Sequence, residues 1–357
     1  MKKILIFMMV FCLIFSMSAC GKPSDTVDPD AEVEFLVVLI TDKNGLGDEG
    51  LNDSCWRGLQ NATMELGVNV DFVTPKNGYA DAIKEAVEMH PDLIICPHQE
   101  TADVLAAVAG EYVDQLFVTF DAELPDNFNV TTAIFNKEER GFLAGAIAAL
   151  CNKSKVVGFI GFSDVESTAS FQYGFTGGVV STDKTVYIST NNVKSDIGSK
   201  GVKQTAVAQC KLGADILFHV VGRNGTSVLD AADERNFKVI SLSVNESMQM
   251  PDSVLCIIAQ NGEKIIYDIV KRLVEGTFDG SNINYGISDD AFVIYNNAEN
   301  ISEENLLRIE EIQQAIKDKE IVVPYDSASY QSFMNGGQTT DDSDIGIINE
   351  NPEMDIQ

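Results

Sequence analysis

Residues 35–40 read FLVVLI, an unbroken apolar run. A strand with one wet face alternates apolar and polar residues; a run without alternation has to be covered on both faces, as in parallel sheets packed between helices. Further runs fall at 93–96, 116–120, 156–160 and 216–220. Between and after them come segments with helical spacing, expected at 80–89, 101–112, 138–151, 167–180, 199–212 and 226–234. Strands are also expected at 68–73, 185–189 and 237–242. Asn52 or Asp53 is a candidate N-cap for the first helix, which Gly67 would end. Residues 260–275 form an amphipathic helix with Ile265, Ile266, Ile269, Val270 and Leu273 on one face. The alternation runs through two successive series without a sequence repeat, which predicts the doubly wound α/β class.

In open parallel sheets, ligands bind beyond the carboxyl ends of the strands. The polar residues there are Thr41-Asp42, Pro97-His98, Asp121, Gly161 to Ser163, Gly222-Arg223 and Ser243. Two such sets facing each other would form a cleft. The chain has 357 residues, 45% of them hydrophobic, and a net charge of −29. That suffices for about two packed domains. It also excludes a nucleic-acid binder working through a basic face.

Signals for catalysis are weak. No nucleophile elbow, zinc-protease helix, P-loop or paired CxxC is present. The 3 His are scattered, so no metal centre and no cofactor are expected. Asp42, Asp48 and Asp53 crowd one loop–helix junction without EF-hand spacing, and acids are favourable at a helix N-terminus in any case. A hydrolase using Asp42, Asp48 and His98 is the minor enzymatic alternative; the chain is expected not to be an enzyme. Cys55, Cys96, Cys151, Cys210 and Cys256 read as buried small hydrophobes.

Residues 1–19 carry Lys2 and Lys3 ahead of an apolar run too short for a bilayer, which needs about 20 residues. This is the pattern of an export signal. Its exit, Met17-Ser18-Ala19-Cys20, resembles a bacterial lipobox with Cys20 as the acylated residue. Residues 20–33 are expected to be a tether, and 335–357 an unstructured acidic tail.

Asp42, then Gly45 to Asn52 (GLGDEGLN) and Trp56-Arg57-Gly58-Leu59, resemble the opening of the basic membrane protein family. Phe120-Asp121, Glu138 to Gly145, Gly158 to Gly161, Phe171 to Phe175 and Gly213 to Ile216 extend the similarity over roughly 35–275. The resemblance implies a lipid-anchored, outward-facing nucleoside receptor of an ABC importer. It also implies the type I periplasmic-binding-protein fold, two Rossmann-like lobes joined by a hinge. Lobe 1 is expected at 34–134 plus 254–330, and lobe 2 at 135–253. Expected partners are a nucleoside-like solute, permease subunits and, through Cys20, the membrane.

The pocket departs from the family pattern. Leu51 and Lys194 stand where the resemblance implies two stacking Phe residues. Ser243 replaces an acid and Gln260 a Lys at the ribose, while Asn52, Asp121 and Gly222 are kept. The expected ligand set is Asp42, Leu51, Asn52, Asp121, Lys194, Gly222, Ser243 and Gln260. Without two aromatics a purine loses ~1–3 kcal/mol of stacking per contact, so the ligand is expected to differ from an ordinary purine nucleoside. A lipoprotein that signals to a membrane partner, without feeding a permease, is the alternative of another class.

Overall fold

The computed structural model describes residues 35–336 apart from 48, 123, 125–127 and 297–299, and leaves out the side chains of 245, 247 and 249. The expected signal, the tether with Cys20, and nearly all of the acidic tail therefore lie outside the described residues.

The first series runs β1 (Leu36–Ile40), α1 (Leu51–Leu66), β2 (Asn69–Val73), α2 (Tyr79–Glu88), β3 (Leu93–Cys96), α3 (Gln99–Val108), β4 (Phe117–Phe120) and β5 (Val130–Phe135). The second runs α4 (Lys137–Cys151), β6 (Val156–Phe162), α5 (Ser167–Thr182), β7 (Tyr187–Val193), α6 (Gly198–Lys211), β8 (Ile216–His219), α7 (Gly225–Arg235), β9 (Lys238–Ser241), α8 (Val244–Gln249) and β10 (Val254–Gln260). The chain ends with α9 (Gly262–Val274), β11 (Ile283–Tyr285), β12 (Phe292–Asn296), α10 (Glu303–Lys317) and α11 (Ser327–Met334).

Two six-stranded sheets result, ordered β11-β5-β4-β3-β1-β2 and β12-β10-β9-β8-β6-β7. Pairing is parallel throughout except between β10 and β12. The apolar runs fill both faces of these sheets. In β1, Val37 and Leu39 join the large core with α1 and α9, while Val38 and Ile40 enter the core under α2 and α3. In the second sheet, Val157 and Phe159 point into the large core and Ile160 into the one under α6 and α7. Helices α4 and α5 approach so closely that a Cβ on Gly145 would strike the carbonyl oxygen of Phe175, and one on Gly178 that of Phe142.

The chain passes between the sheets three times, after β5, after β10 and between β11 and β12. These passages are tied to one another. Asn136 donates its N–H to the Tyr285 carbonyl (2.9 Å) and Asn261 to that of Ala291 (2.8 Å). The Glu139 carboxylate accepts from the Ile287 N–H (2.5 Å) and the Asn136 amide (3.1 Å).

Several local expectations are corrected. Gly50, not Asn52 or Asp53, is the N-cap of α1. The strand expected at 185–189 lies at Tyr187–Val193; it is an edge strand, whose open edge tolerates the polar run Thr190, Asn191 and Asn192. The helix expected from 260 starts at Gly262, because Gln260 still pairs with Phe292. The stretch 254–330 supplies both layers, with β11 in the first sheet and β10 and β12 in the second. Helices α10 and α11 pack on α4 and α5.

Candidate functional site

The carboxyl end of β1 leads into a loop held from inside α1. Asn52, fully buried, donates its Nδ2 to Asp42 Oδ1 and to the Gly45 carbonyl, both at 2.8 Å. Its Oδ1 accepts the Asp42 N–H at 3.1 Å. His98 Nε2 lies 2.6 Å from the same oxygen, so that nitrogen carries the proton. Asp53 accepts the N–H groups of Gly47 (2.7 Å) and Glu49 (2.9 Å), which closes the rest of the loop over the first turn of α1. Asp42 and Leu51 are thereby fixed facing the second sheet.

The opposite wall is the turn from β9 to α8. Ser241 Oγ accepts the Ser243 N–H at 3.0 Å and donates to Glu246 at 2.6 Å. Burial pushes the Glu246 carboxyl up, but the imidazole of His219, 3.3 Å away, and the bond from Ser241 outweigh it and hold the group below its usual range. Arg140, buried at the start of α4, donates Nε to the Ile258 carbonyl (2.7 Å) and Nη2 to that of Leu242 (2.9 Å). Burial pushes its guanidinium down to about 10, with Asp121 opposing.

Between the walls lies a cavity of about 260 Å³. The first lobe lines it with Asp42, Gly50, Leu51, Ser54, His98 and Glu100, and the second with Leu242, Ser243, Val244, Ala259, Gln260 and Tyr295. Among the described residues its charged lining is acidic, with no Lys or Arg, and Tyr295 is its one Phe, Tyr or Trp. Across the mouth Arg223 Nη2 stands 3.6 Å from Glu100 Oε1. A larger cavity, about 520 Å³, runs along α1 and α9 and shares Ser54 and Tyr295 with the cleft. Its polar groups largely satisfy each other, with Arg57 on Glu263 at 2.9 Å and Tyr267 on Glu65 at 2.6 Å. The smaller cavity, at the strand ends, is the better site for a ligand.

The expected site residues therefore separate. Asp42, Leu51, Ser243 and Gln260 line the cavity. Asn52 stands behind it, bracing Asp42. Asp121 stands behind Gln260, accepting its amide at 2.9 Å. Lys194, exposed beside Asp164, and Gly222, at φ 52°, are not among the lining residues. Glu100, Ser54 and Tyr295 were not anticipated; Tyr295 enters because β12 joins the second sheet, a pairing with no signal in its own five residues.

Residues 35–327 match the family model described as ABC transporter substrate-binding protein PnrA-like. The chain belongs to this family. It is 27% identical over 340 residues to the CD4+ T-cell-stimulating antigen of Listeria innocua, covering 86% of this chain and 94% of that protein. It is 26% identical to basic membrane protein A of Borreliella burgdorferi, covering 94% and 99%. With the ABC transporter nucleoside-binding protein BmpA of Lactococcus lactis it shares 24% identity, over 71% of this chain and 78% of the relative. Among solved structures, the fold matches solute-binding proteins of ABC transporter systems. The one from Aeropyrum pernix gives a TM-score of 0.58 at 22% identity, covering 85% and 98%; the one from Conexibacter woesei gives 0.63 at 14%, covering 82% and 99%. Like those proteins, this substrate-binding protein has the two-sheet α/β fold of periplasmic binding proteins. No helix among the described residues is long and apolar enough to cross a membrane, and no group of three or more His, Cys, Asp or Glu among them is placed to hold a metal ion.

Proposed function

We propose that this substrate-binding protein is a lipid-anchored, extracytoplasmic receptor of an ABC importer. It closes its two lobes on an uncharged, hydroxyl-bearing solute of nucleoside size or smaller. The observation that carries the reading is the lining of the cleft, which offers carboxylates from the first lobe, neutral polar groups from both and, among the described residues, no Lys or Arg. Carboxylates accept from hydroxyl and amino groups and repel anions, so sugars and nucleosides suit this wall and phosphate esters do not. A volume of about 260 Å³ lies just below the ~300 Å³ at which clefts for drug-sized ligands begin. Among the described lining residues Tyr295 and the imidazole of His98 are the rings available to stack, so affinity has to come largely from hydrogen bonds and closure. The name of the Lactococcus relative supports nucleosides as the first class to try.

The mechanism is hinge closure about the three passages, bringing Ser243 and Gln260 onto a solute already seated on Asp42. Thermal unfolding against guanosine, inosine, adenosine, uridine and cytidine tests the ligand class. A ligand at 100 times its Kd stabilises by about 2.7 kcal/mol; no response to any nucleoside would remove nucleosides from the account. Anchoring is checked separately. Cys20→Ala is expected to release the chain from the membrane fraction and abolish labelling by radioactive palmitate.

A further inference from the structure

Asp121 sits at the end of β4 with φ 52°, its N–H donating to the Ala133 carbonyl at 3.0 Å. Its Oδ1 accepts the N–H of Phe135 at 3.0 Å and Lys137 Nζ at 3.3 Å, both from the first passage between the sheets. Its Oδ2 accepts Nε2 of Gln260, at the second passage, at 2.9 Å. Gln260 is the member of this group that lines the cleft.

A side-chain amide has one donating and one accepting end, and a carboxylate only accepts. The carboxylate of Asp121, paired with Lys137, therefore dictates which way the amide of Gln260 points. Nε2 turns to Asp121, and Oε1 is left for the cleft. We infer that Asp121 acts as a positioning residue whose hold on the Gln260 amide makes this point of the cleft a hydrogen-bond acceptor, so that the protein selects solutes carrying a hydroxyl or N–H donor there. The inference rests on the cleft being the solute site. It makes Gln260 the specificity-determining residue and gives Asp121 an indirect role.

Asp121→Asn inverts the arrangement with almost no change of shape. The Phe135 N–H and Lys137 keep the asparagine oxygen on their side and turn its Nδ2 toward Gln260. Gln260 must then rotate its amide to accept, which presents Nε2 to the cleft. The probes are ribonucleosides, each paired with its 2′-fluoro and 3′-fluoro derivatives, in which an isosteric fluorine cannot donate. In the unaltered protein one of the two replacements is expected to weaken binding about tenfold or more by titration calorimetry. In Asp121→Asn, and in Gln260→Met, that penalty is expected to disappear. An equal penalty in all three proteins would overturn the inference, and Gln260→Met maintains the test should Asp121→Asn fail to fold.

A second readout needs no ligand. The side-chain ¹H–¹⁵N signal of Gln260, assigned by its loss in Gln260→Met, is expected to shift and exchange faster with water in Asp121→Asn. An unchanged signal would overturn the inference even if nucleosides bind. If no nucleoside binds, the ligand class proposed above fails, and this amide signal still decides the orientation.

Discussion

Asn52→Ala removes the brace of the loop that carries Asp42. The side chain has no exposure and makes three hydrogen bonds of 2.8–3.1 Å to Asp42 and Gly45, with His98 Nε2 2.6 Å from the same amide oxygen. Each is worth about 0.5–1.5 kcal/mol net, and an abandoned buried partner costs about 1–3 kcal/mol. Some of these partners will rehydrate through the cleft, so the sum is about 3 kcal/mol. At roughly 2 °C per kcal/mol for a chain of this size, the melting temperature should fall by about 6 °C. Asn52→Asp is the informative companion. It keeps the oxygen that faces the Asp42 N–H and His98 but sets a carboxylate against the Asp42 carboxylate. It should therefore be the less stable of the two at neutral pH and recover relative to Asn52→Ala on acidification. Differential scanning calorimetry of the three proteins at pH 4.5 and 7.5 measures this. An Asn52→Ala protein melting within about 1 °C of the unaltered one would refute the bracing role.

Other expectations follow from the same geometry. Arg140→Met leaves the Ile258 and Leu242 carbonyls without their buried donor and should cost about 2–5 kcal/mol in urea unfolding, since both bonds are charge-assisted. Arg223→Ala breaks an exposed pair across the mouth, worth under about 1 kcal/mol; solute affinity should lose its salt dependence more than its magnitude at high salt. Bonds from Lys155 (2.6 Å) and from Thr185 hold Asp183 down to about 2. Its contribution is present above the ordinary carboxylate value and is lost as pH falls toward 2. In a carboxyl NMR titration, Lys155→Ala should return the midpoint upward.

The parts of the fold legible in the sequence were those where burial alone decides. FLVVLI at β1 and LIIC at β3 have one physical solution, coverage on both faces, and fall within a residue of expectation. Edge and passage segments were not legible. β7 is half polar because one side meets water, β11 is only Ile283–Tyr285, and Gln260 belongs to a strand through a partner 32 residues away. The site shows the same division. Asp42 and Ser243 could be read from the strand ends, whereas Leu51 and Gln260 came only from the family resemblance; all four line the cavity. The separation of Asn52 and Asp121 from the cavity depends on side-chain bonds between distant segments, which no spacing encodes.

The proposed function requires a cleft that accepts hydrogen bonds and repels anions. Native mass spectrometry of the full chain, purified without refolding, tests this directly. The predicted result is one small uncharged polyhydroxy or nucleoside-like molecule per chain, lost in Ser243→Trp, which fills the cavity. A stoichiometric phosphate ester or carboxylate in that cleft, or a ligand retained undiminished in Ser243→Trp, would contradict it.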